Sequence, residues 1–217
     1  MKTLILNGSP KGERGNSQIF ASHFAKGAGA CCDIKCIVRE SYQELAGALE
    51  GYDTVIFIMP LYVHAMPGIV MKLFEQMKPL SERNKTMGFI IQSGFMEPAQ
   101  SRYAKQSLEL LCKRLNYNYM GTVIKGGAAG VYVMPDGMNR KLFAELEELG
   151  RYYGETGCFS ESIKSKFEKN YELSKGQARF NQILYKAGIG DLFWNSMLKK
   201  NNVFAQRYAK PFEISQE

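Results

Sequence analysis

The chain is poor in the residues that mark several protein classes. It holds one tryptophan, two histidines and five cysteines in 217 residues. The cysteines are Cys31, Cys32, Cys36, Cys112 and Cys158, and no C-x-x-C occurs among them. Zinc and iron–sulfur spacings are therefore absent, and no metal is expected. An odd, unpatterned set of thiols fits a reducing compartment, so a cytoplasmic location is expected. Spanning a membrane takes roughly 20 unbroken apolar residues. The longest apolar stretch, from Thr54 to Phe74, is interrupted by Pro60, His64, Pro67, Gly68 and Lys72. It divides into strand, loop and helix, and no membrane span is expected. The start, Met1-Lys2-Thr3-Leu4-Ile5-Leu6, reads as a strand and not as an export signal.

Two familiar phosphate motifs are missing as well. A Walker loop needs G-x-x-x-x-G-K-[ST], but Gly15 is followed by Asn16. The G-x-G-x-x-G dinucleotide fingerprint is not found at the first strand-to-helix turn, and Gly27-Ala28-Gly29 follows a helix, the wrong context. Acidic residues are in deficit: 28 Lys and Arg face 21 Asp and Glu, a formal charge of +7. Residues 161–217 carry 10 basic and 6 acidic residues, a denser excess than the 18 and 15 of residues 1–160. Lys199-Lys200 is the one adjacent basic pair in that tail, and no nucleic-acid motif accompanies it. A solvated helix face explains the charge, and no nucleic-acid partner is expected.

What is present is enough apolar material for a core, 45% of residues. Strands are expected at Thr3–Leu6, Cys32–Val38, Thr54–Met59, Met87–Ile91 and Met120–Ile124. The third is apolar throughout, as suits a strand covered on both faces. On the second, Cys32, Ile34, Cys36 and Val38 share one face by the period of two and read as core. Between the strands, helical spacing marks Ile19, Phe20, His23 and Phe24 after an Asn16 or Ser17 N-cap. It also marks Tyr42 to Leu49, and a helix with Pro67 in its first turn that carries Val70, Met71, Phe74 and Met77. A fourth helix runs from Ala99 to Leu115, with Tyr103, Leu110, Leu111 and Leu115 on its apolar side. A fifth carries Leu142, Leu146, Leu149 and Tyr153. Strict alternation of strand and helix implies a parallel sheet covered on both faces. The alternation is complete by about residue 155, so two parts are expected: an α/β domain over 1–155 and a helical extension over 156–217. In the extension Ser160 and Asp191 are the expected caps, Gly188 ends the middle helix, and Phe193 and Trp194 read as packed aromatics.

Three loops carry the candidate chemistry. The first, Asn7 to Ser17, leads from a buried strand into a helix N-terminus, where free N–H groups and the helix dipole suit a phosphate. Ser9, Asn16 and Ser17 add donors, Lys11 and Arg14 add charge, and the glycines let the backbone approach an anion. A plain turn with an ordinary N-cap would explain Gly8, Pro10 and Ser17; the density of donors favours phosphate. The second loop, Met59 to Gly68, follows strand three. In a sheet of order 2-1-3-4-5 it meets the first loop at the point where strand order reverses, a ligand position of open α/β sheets. Tyr62 and its apolar rim suit an aromatic ring system. The third, Gln92 to Glu97, offers the Ser93 and Gly94 N–H groups to the ring's polar edge. Gly126 to Gly130, after strand five, reads as a flexible loop.

These residues resemble the NADPH-dependent FMN reductase and multimeric flavodoxin families. The resemblance is carried by Asn7-Gly8-Ser9-Pro10-Lys11, Asn16-Ser17, Pro60-Leu61-Tyr62, Pro67-Gly68 and Lys72, and it covers about residues 1–155. It implies a flavodoxin-like three-layer fold with a five-stranded parallel sheet. It implies that Ser9, Asn16 and Ser17, with Lys11 near them, hold the phosphate of FMN. Pro60, Leu61, Tyr62 and Val63 would line the isoalloxazine, with Ser93, Gly94 and Phe95 at its other edge. It further implies NADH or NADPH as donor, a small electron acceptor (a quinone, flavin, azo, nitro or ferric compound), and a homodimer whose neighbouring subunit walls the flavin. Tyr62 and His64 are placed to steer the acceptor, and neither is assigned as catalytic. Iron–sulfur flavoproteins on this scaffold carry cysteines after strand two; the stretch from Glu40 to Met59 has none. A flavodoxin-type carrier or flavin-based sensor is the alternative, and the charge of +7 disfavours the carrier, which is usually acidic.

Overall fold

The computed structural model describes residues 2–29, 32–169 and 171–210, without the side chains of Ile189, Leu192 and Phe193. Cys31 lies outside the described residues. The chain forms two compact units, Met1–Glu172 and Leu173–Glu217.

In the first unit five parallel strands form one sheet in the order β2-β1-β3-β4-β5. They are β1 (Thr3–Asn7), β2 (Cys32–Cys36), β3 (Thr54–Pro60), β4 (Thr86–Gln92) and β5 (Asn118–Lys125). The helices are α1 (Asn16–Ala28), α2 (Tyr42–Ala48), α3 (Gly68–Gln76), α4 (Arg102–Arg114), α5 (Asp136–Thr156) and α6 (Glu161–Phe167). This is the expected flavodoxin-like arrangement. Alternate strand residues point to opposite faces. Leu4, Leu6, Phe57, Met59, Phe89 and Ile91 therefore pack under α2, α3 and α4. Ile5, Ile56, Ile58, Ile90 and Val123 pack under α1, α5 and α6. Every residue of β3 is buried, as its unbroken apolar run requires.

Helices α1 and α5 approach so closely that no side chain fits between their backbones. A Cβ at Gly27 would fall on the carbonyl of Glu147, and one at Gly150 on the carbonyl of Phe24. Alongside that contact Phe24 packs against Tyr153, with ring centroids 5.5 Å apart.

Several expectations change. The first compact unit runs past residue 155, because Phe159, Ile163 and Phe167 join the α1/α5 side of the core. A Cβ at Gly88 would meet the Phe159 ring at 2.9 Å, so the bare position on β4 is what admits that aromatic. Strand β2 ends at Cys36, and Ile37–Arg39 form a 3-10 turn. Cys36 is buried, but Ile34 and Val38 are exposed and Cys32 half-buried. The reason is position: β2 is the edge strand, paired only to β1. On α4 the buried stripe is Ala104, Leu108 and Cys112, and Tyr103 and Leu110 face outward. Pro67 is the N-cap of α3 and not a residue of its first turn. Gly15, not Asn16 or Ser17, is the N-cap of α1.

The second unit contains α7 (Lys175–Lys186) and α8 (Ile189–Lys200), which contact each other. Ser174 starts α7 with a capping box: its Oγ accepts from Gln177 N, and Gln177 Oε1 accepts from Ser174 N. Gly188, at φ 73°, is the N-cap of α8, which leaves Asp191 in the first turn. Ser160 does cap α6, accepting from Ile163 N. Trp194 is exposed in the single chain, so it does not pack in a core, one of the two expectations beside packing in a dimer, and the side chain of Phe193 lies outside the described set.

Candidate functional site

The carboxyl ends of β1, β3, β4 and β5 carry four loops. The first is organised by Asn7, which is wholly buried. Its Oδ1 accepts from Ser9 N at 2.9 Å, and its Nδ2 donates to Gly12 O and Gln18 Oε1, both at 3.0 Å. Ser9 Oγ accepts from Lys11 N at 3.2 Å. Gly12 closes the turn at φ 57°, a region that favours glycine. A Cβ at Gly15 would stand 3.1 Å from Ser9 Oγ, so the glycine keeps the loop's hollow open. The chain then enters α1 with no side chain capping its first N–H groups. Ser17, in that first turn, is fully buried, and its Oγ has no hydrogen-bond partner. A buried polar atom without a partner costs about 1–3 kcal/mol. An unpartnered hydroxyl beside an uncapped helix N-terminus can donate to an acceptor such as a phosphate oxygen.

Two sequence-predicted residues have other attachments. Asn16 spans from α1 to the loop after β5: its Nδ2 donates to Ala128 O at 2.6 Å and its Oδ1 accepts from Tyr132 N at 2.9 Å. Lys11 is exposed, with its Nζ 4.9 Å from the centre of the Tyr132 ring. Cys36 lies behind the loop, 3.6 Å from Asn7 Nδ2. Burial, with help from Glu13, pushes its thiol above the ordinary range, so it is not an activated nucleophile.

In the second loop Pro60 and Leu61 are buried, and Leu61 N donates to Gln92 O at 2.8 Å. Tyr62 and Ala65 exchange two backbone hydrogen bonds, of 2.9 and 3.0 Å, around a two-residue turn. The turn holds Val63 at φ 49° and His64 at φ 62°. Left-handed backbone is a genuine outlier for a β-branched residue, and Val63 is 89% exposed at the tip. The His64 ring stacks on Phe95 of the third loop, and its Nδ1 lies 3.2 Å from Gln100 O. A carbonyl only accepts, so the contact is a hydrogen bond in the tautomer that carries its proton on this nitrogen.

In the third loop Ser93 is buried, Gly94 is exposed and Phe95 is 44% exposed. Ser93 N donates to Lys125 O at 3.0 Å, so that N–H serves the sheet and is not turned to a ligand. The fourth loop is more ordered than its glycines imply. Gly127 N donates to Phe95 O and Ala128 N to Ser93 O, both at 2.7 Å. A Cβ at Gly126 would meet Met96 O at 2.6 Å. Residues 126–132 thus tie the third loop to Asn16, a role sequence reasoning missed. The signal was there in Gly126-Gly127, two residues small enough for backbone to pass against backbone.

A groove of about 340 Å³ opens beside the second loop, between α3 and α4. Its lining includes His64, Met66, Met71, Tyr103 and Leu110.

No family profile matches the chain, and no curated protein matches it. Solved structures do. An FMN-dependent NADH-azoreductase from Bacillus anthracis str. Ames Ancestor, in complex with FMN, aligns with a TM-score of 0.52 at 15% identity, over 71% of this chain and 100% of that one. An NAD(P)H:quinone oxidoreductase from Methanothermobacter marburgensis aligns with a TM-score of 0.55 at 15% identity, over 70% and 94%. A Trp repressor binding protein from Bacillus subtilis gives 0.53 at 15%, over 69% and 97%. At such identity the likeness establishes the flavodoxin-like fold.

Proposed function

We propose that the chain is an FMN-dependent oxidoreductase that passes electrons from NADH or NADPH to a small acceptor such as a quinone, flavin, azo, nitro or ferric compound. The observation that carries this reading is Ser17: a buried, unpartnered hydroxyl at the uncapped N-terminus of α1, in a glycine-opened hollow at the sheet's reversal point. The neighbouring folds support it, since those with matching architecture include an azoreductase holding FMN and a quinone oxidoreductase.

On this reading Ser9, Ser17 and the first N–H groups of α1 hold the phosphate, with Lys11 supplying charge nearby. Asn16 acts by positioning, since both ends of its amide hold the fourth loop. Pro60, Leu61, Tyr62 and Val63 line one side of the ring, and Ser93, Gly94 and Phe95 another. FMN, when bound, supplies the two-electron chemistry that accepts hydride and reduces the acceptor. The chain's own work is to hold the ring, present its open face and exclude competing partners. The exposed Met71, Tyr103 and Leu110 around the α3/α4 groove are taken as the contact of a homodimer, which sedimentation velocity tests.

The decisive experiment has two arms. Purified protein should be yellow or should bind FMN, and Ser9→Ala with Ser17→Ala should weaken that binding. Failure to bind FMN ends the proposal. Anaerobic NADH or NADPH should then bleach the flavin; a bound flavin that neither donor bleaches would make the protein a carrier or sensor.

A further inference from the structure

The second unit concentrates the charge of the chain. Residues 173–210 carry seven basic side chains and one acidic one, Asp191. With Glu213 and Glu217 counted, residues 173–217 have a net charge of +4 in 45 positions, against +3 for the 172 that precede them. None of the side chains of α7 is buried.

The charge is arranged as well as concentrated. At about 100° per residue, Lys175, Arg179 and Lys186 fall within about 40° of one another on α7. All three are exposed. Ile183, Phe180 and Leu184 form an adjoining stripe, about 60°, 120° and 160° round from the middle of that group. Phe180 and Ile183 are 60% and 63% exposed. Tyr185 and Tyr208 add exposed aromatics. Lys199 and Lys200 add charge in the last turn of α8, and Arg207 follows. Lys199 and Arg207 both approach the Phe204 ring, at 5.0 and 4.1 Å.

We infer that this unit is an interfacial anchor: α7 lies on the surface of an anionic lipid bilayer, with Phe180 and Ile183 entering the headgroup boundary and Lys175, Arg179 and Lys186 facing lipid phosphates. A basic helix with an apolar stripe is the composition of helices that lie in the membrane plane. Among the described residues no helix is long and apolar enough to cross a membrane, so the contact is at the surface. Charge selects the occupant. A second copy of this chain offers +3 or +4 on either unit, which repels the stripe, whereas an anionic leaflet attracts each lysine and arginine near it. A nucleic acid would use the cations but not an aliphatic stripe that includes Ile183 and Leu184. The inference is independent of the flavin reading.

The test uses the full-length protein and two vesicle preparations, phosphatidylcholine alone and an equal mixture with phosphatidylglycerol. The protein should sediment with the mixed vesicles and not with phosphatidylcholine, and salt near 1 M should release much of it, since the Debye length there is about 3 Å. The triple variant Lys175→Gln, Arg179→Gln, Lys186→Gln should bind about a hundredfold more weakly. The double variant Phe180→Ser, Ile183→Ser should bind about tenfold more weakly. Both leave the core untouched, and unchanged circular dichroism checks this. Equal binding to both vesicles, no binding to either, or undiminished binding by the triple variant would overturn the inference. So would tighter capture by duplex DNA, or tail-dependent self-association that displaces vesicles.

Discussion

The imidazole of His64 lies face to face with the phenyl ring of Phe95, centroids 5.4 Å apart and planes 8° from parallel. The two belong to different loops, each fixed at its base. The first is held by the Leu61–Gln92 bond and the Tyr62–Ala65 turn, and the second by bonds to Gly127 and Ala128. The stack therefore joins their tips. Left-handed backbone at Val63 and His64 costs on the order of 1–3 kcal/mol each. Such strain persists only where the surroundings over-determine it, and here two backbone bonds and a ring stack do so.

Because the stack acts as one unit, His64→Ala and Phe95→Ala should each raise the KM for the acceptor several-fold. For His64→Ala, FMN affinity should stay within about twofold, and the double variant should raise KM no more than either single one. A stacked pair is worth about 0.5–1.5 kcal/mol beyond area burial, which a double-mutant cycle resolves. Effects that simply multiply would show that the two rings act separately.

Ser17 gives a prediction whose sign depends on ligand. Without FMN, Ser17→Ala removes an orphaned buried hydroxyl, so thermal stability should hold or rise slightly. With FMN, the variant loses a hydrogen bond to a charged group, worth about 1.5–3 kcal/mol, or roughly a 10- to 150-fold weaker Kd. Calorimetric titration and melting with and without FMN measure both halves. A variant destabilised without ligand and unaltered in FMN affinity would reduce Ser17 to a packing residue.

The α1/α5 contact should be intolerant of a single methyl. Gly150→Ala drives a Cβ into the Phe24 carbonyl, and both groups are on helix backbones that cannot rotate away. Overpacking of this kind costs about 1–3 kcal/mol or more. At about 2–4 °C per kcal/mol for a chain of this size, Tm should fall by several degrees. Gly137→Ala, in the first turn of α5 with open space around it, is the control and should leave Tm unchanged or raise it slightly.

At the alkaline limit Tyr117 and Tyr119 should contribute to the loss of stability, together with Cys112. Burial pushes each phenol up to about 12, and Tyr119 keeps a 2.7 Å bond to Thr122 Oγ1. A raised pKa means the folded protein holds a proton that the unfolded chain releases near pH 10. The share held by the two phenols is whole below pH 10 and falls as pH rises toward 12; the buried Cys112 thiol, likewise pushed up to about 12, adds a loss that begins near pH 9. Denaturant unfolding across that window should show the loss, and Tyr117→Phe should make it shallower. Identical slopes in the variant would remove Tyr117 from the explanation.

The sequence by itself determined the sheet and its order of elements, because an apolar run such as Val55 to Met59 has no other stable place than a strand covered on both faces. It also determined where the candidate phosphate loop lies, since Asn7-Gly8-Ser9 and Ser17 are local neighbours whose turn and helix start are written in adjacent residues. Tertiary structure decided what depends on distant partners. The burial of β2 was lost in part because, among the described residues, no strand pairs with its outer side, a fact that no period of two can state. Residues 159–167 entered the core because Gly88, far away in sequence, leaves room for Phe159. Asn16 serves the fourth loop because that loop returns to it from 112 residues downstream. His64 meets Phe95 only because β3 and β4 are neighbours in the sheet. Local pattern encodes the element and its direction; which side chain fills which gap depends on packing between elements that the pattern does not describe.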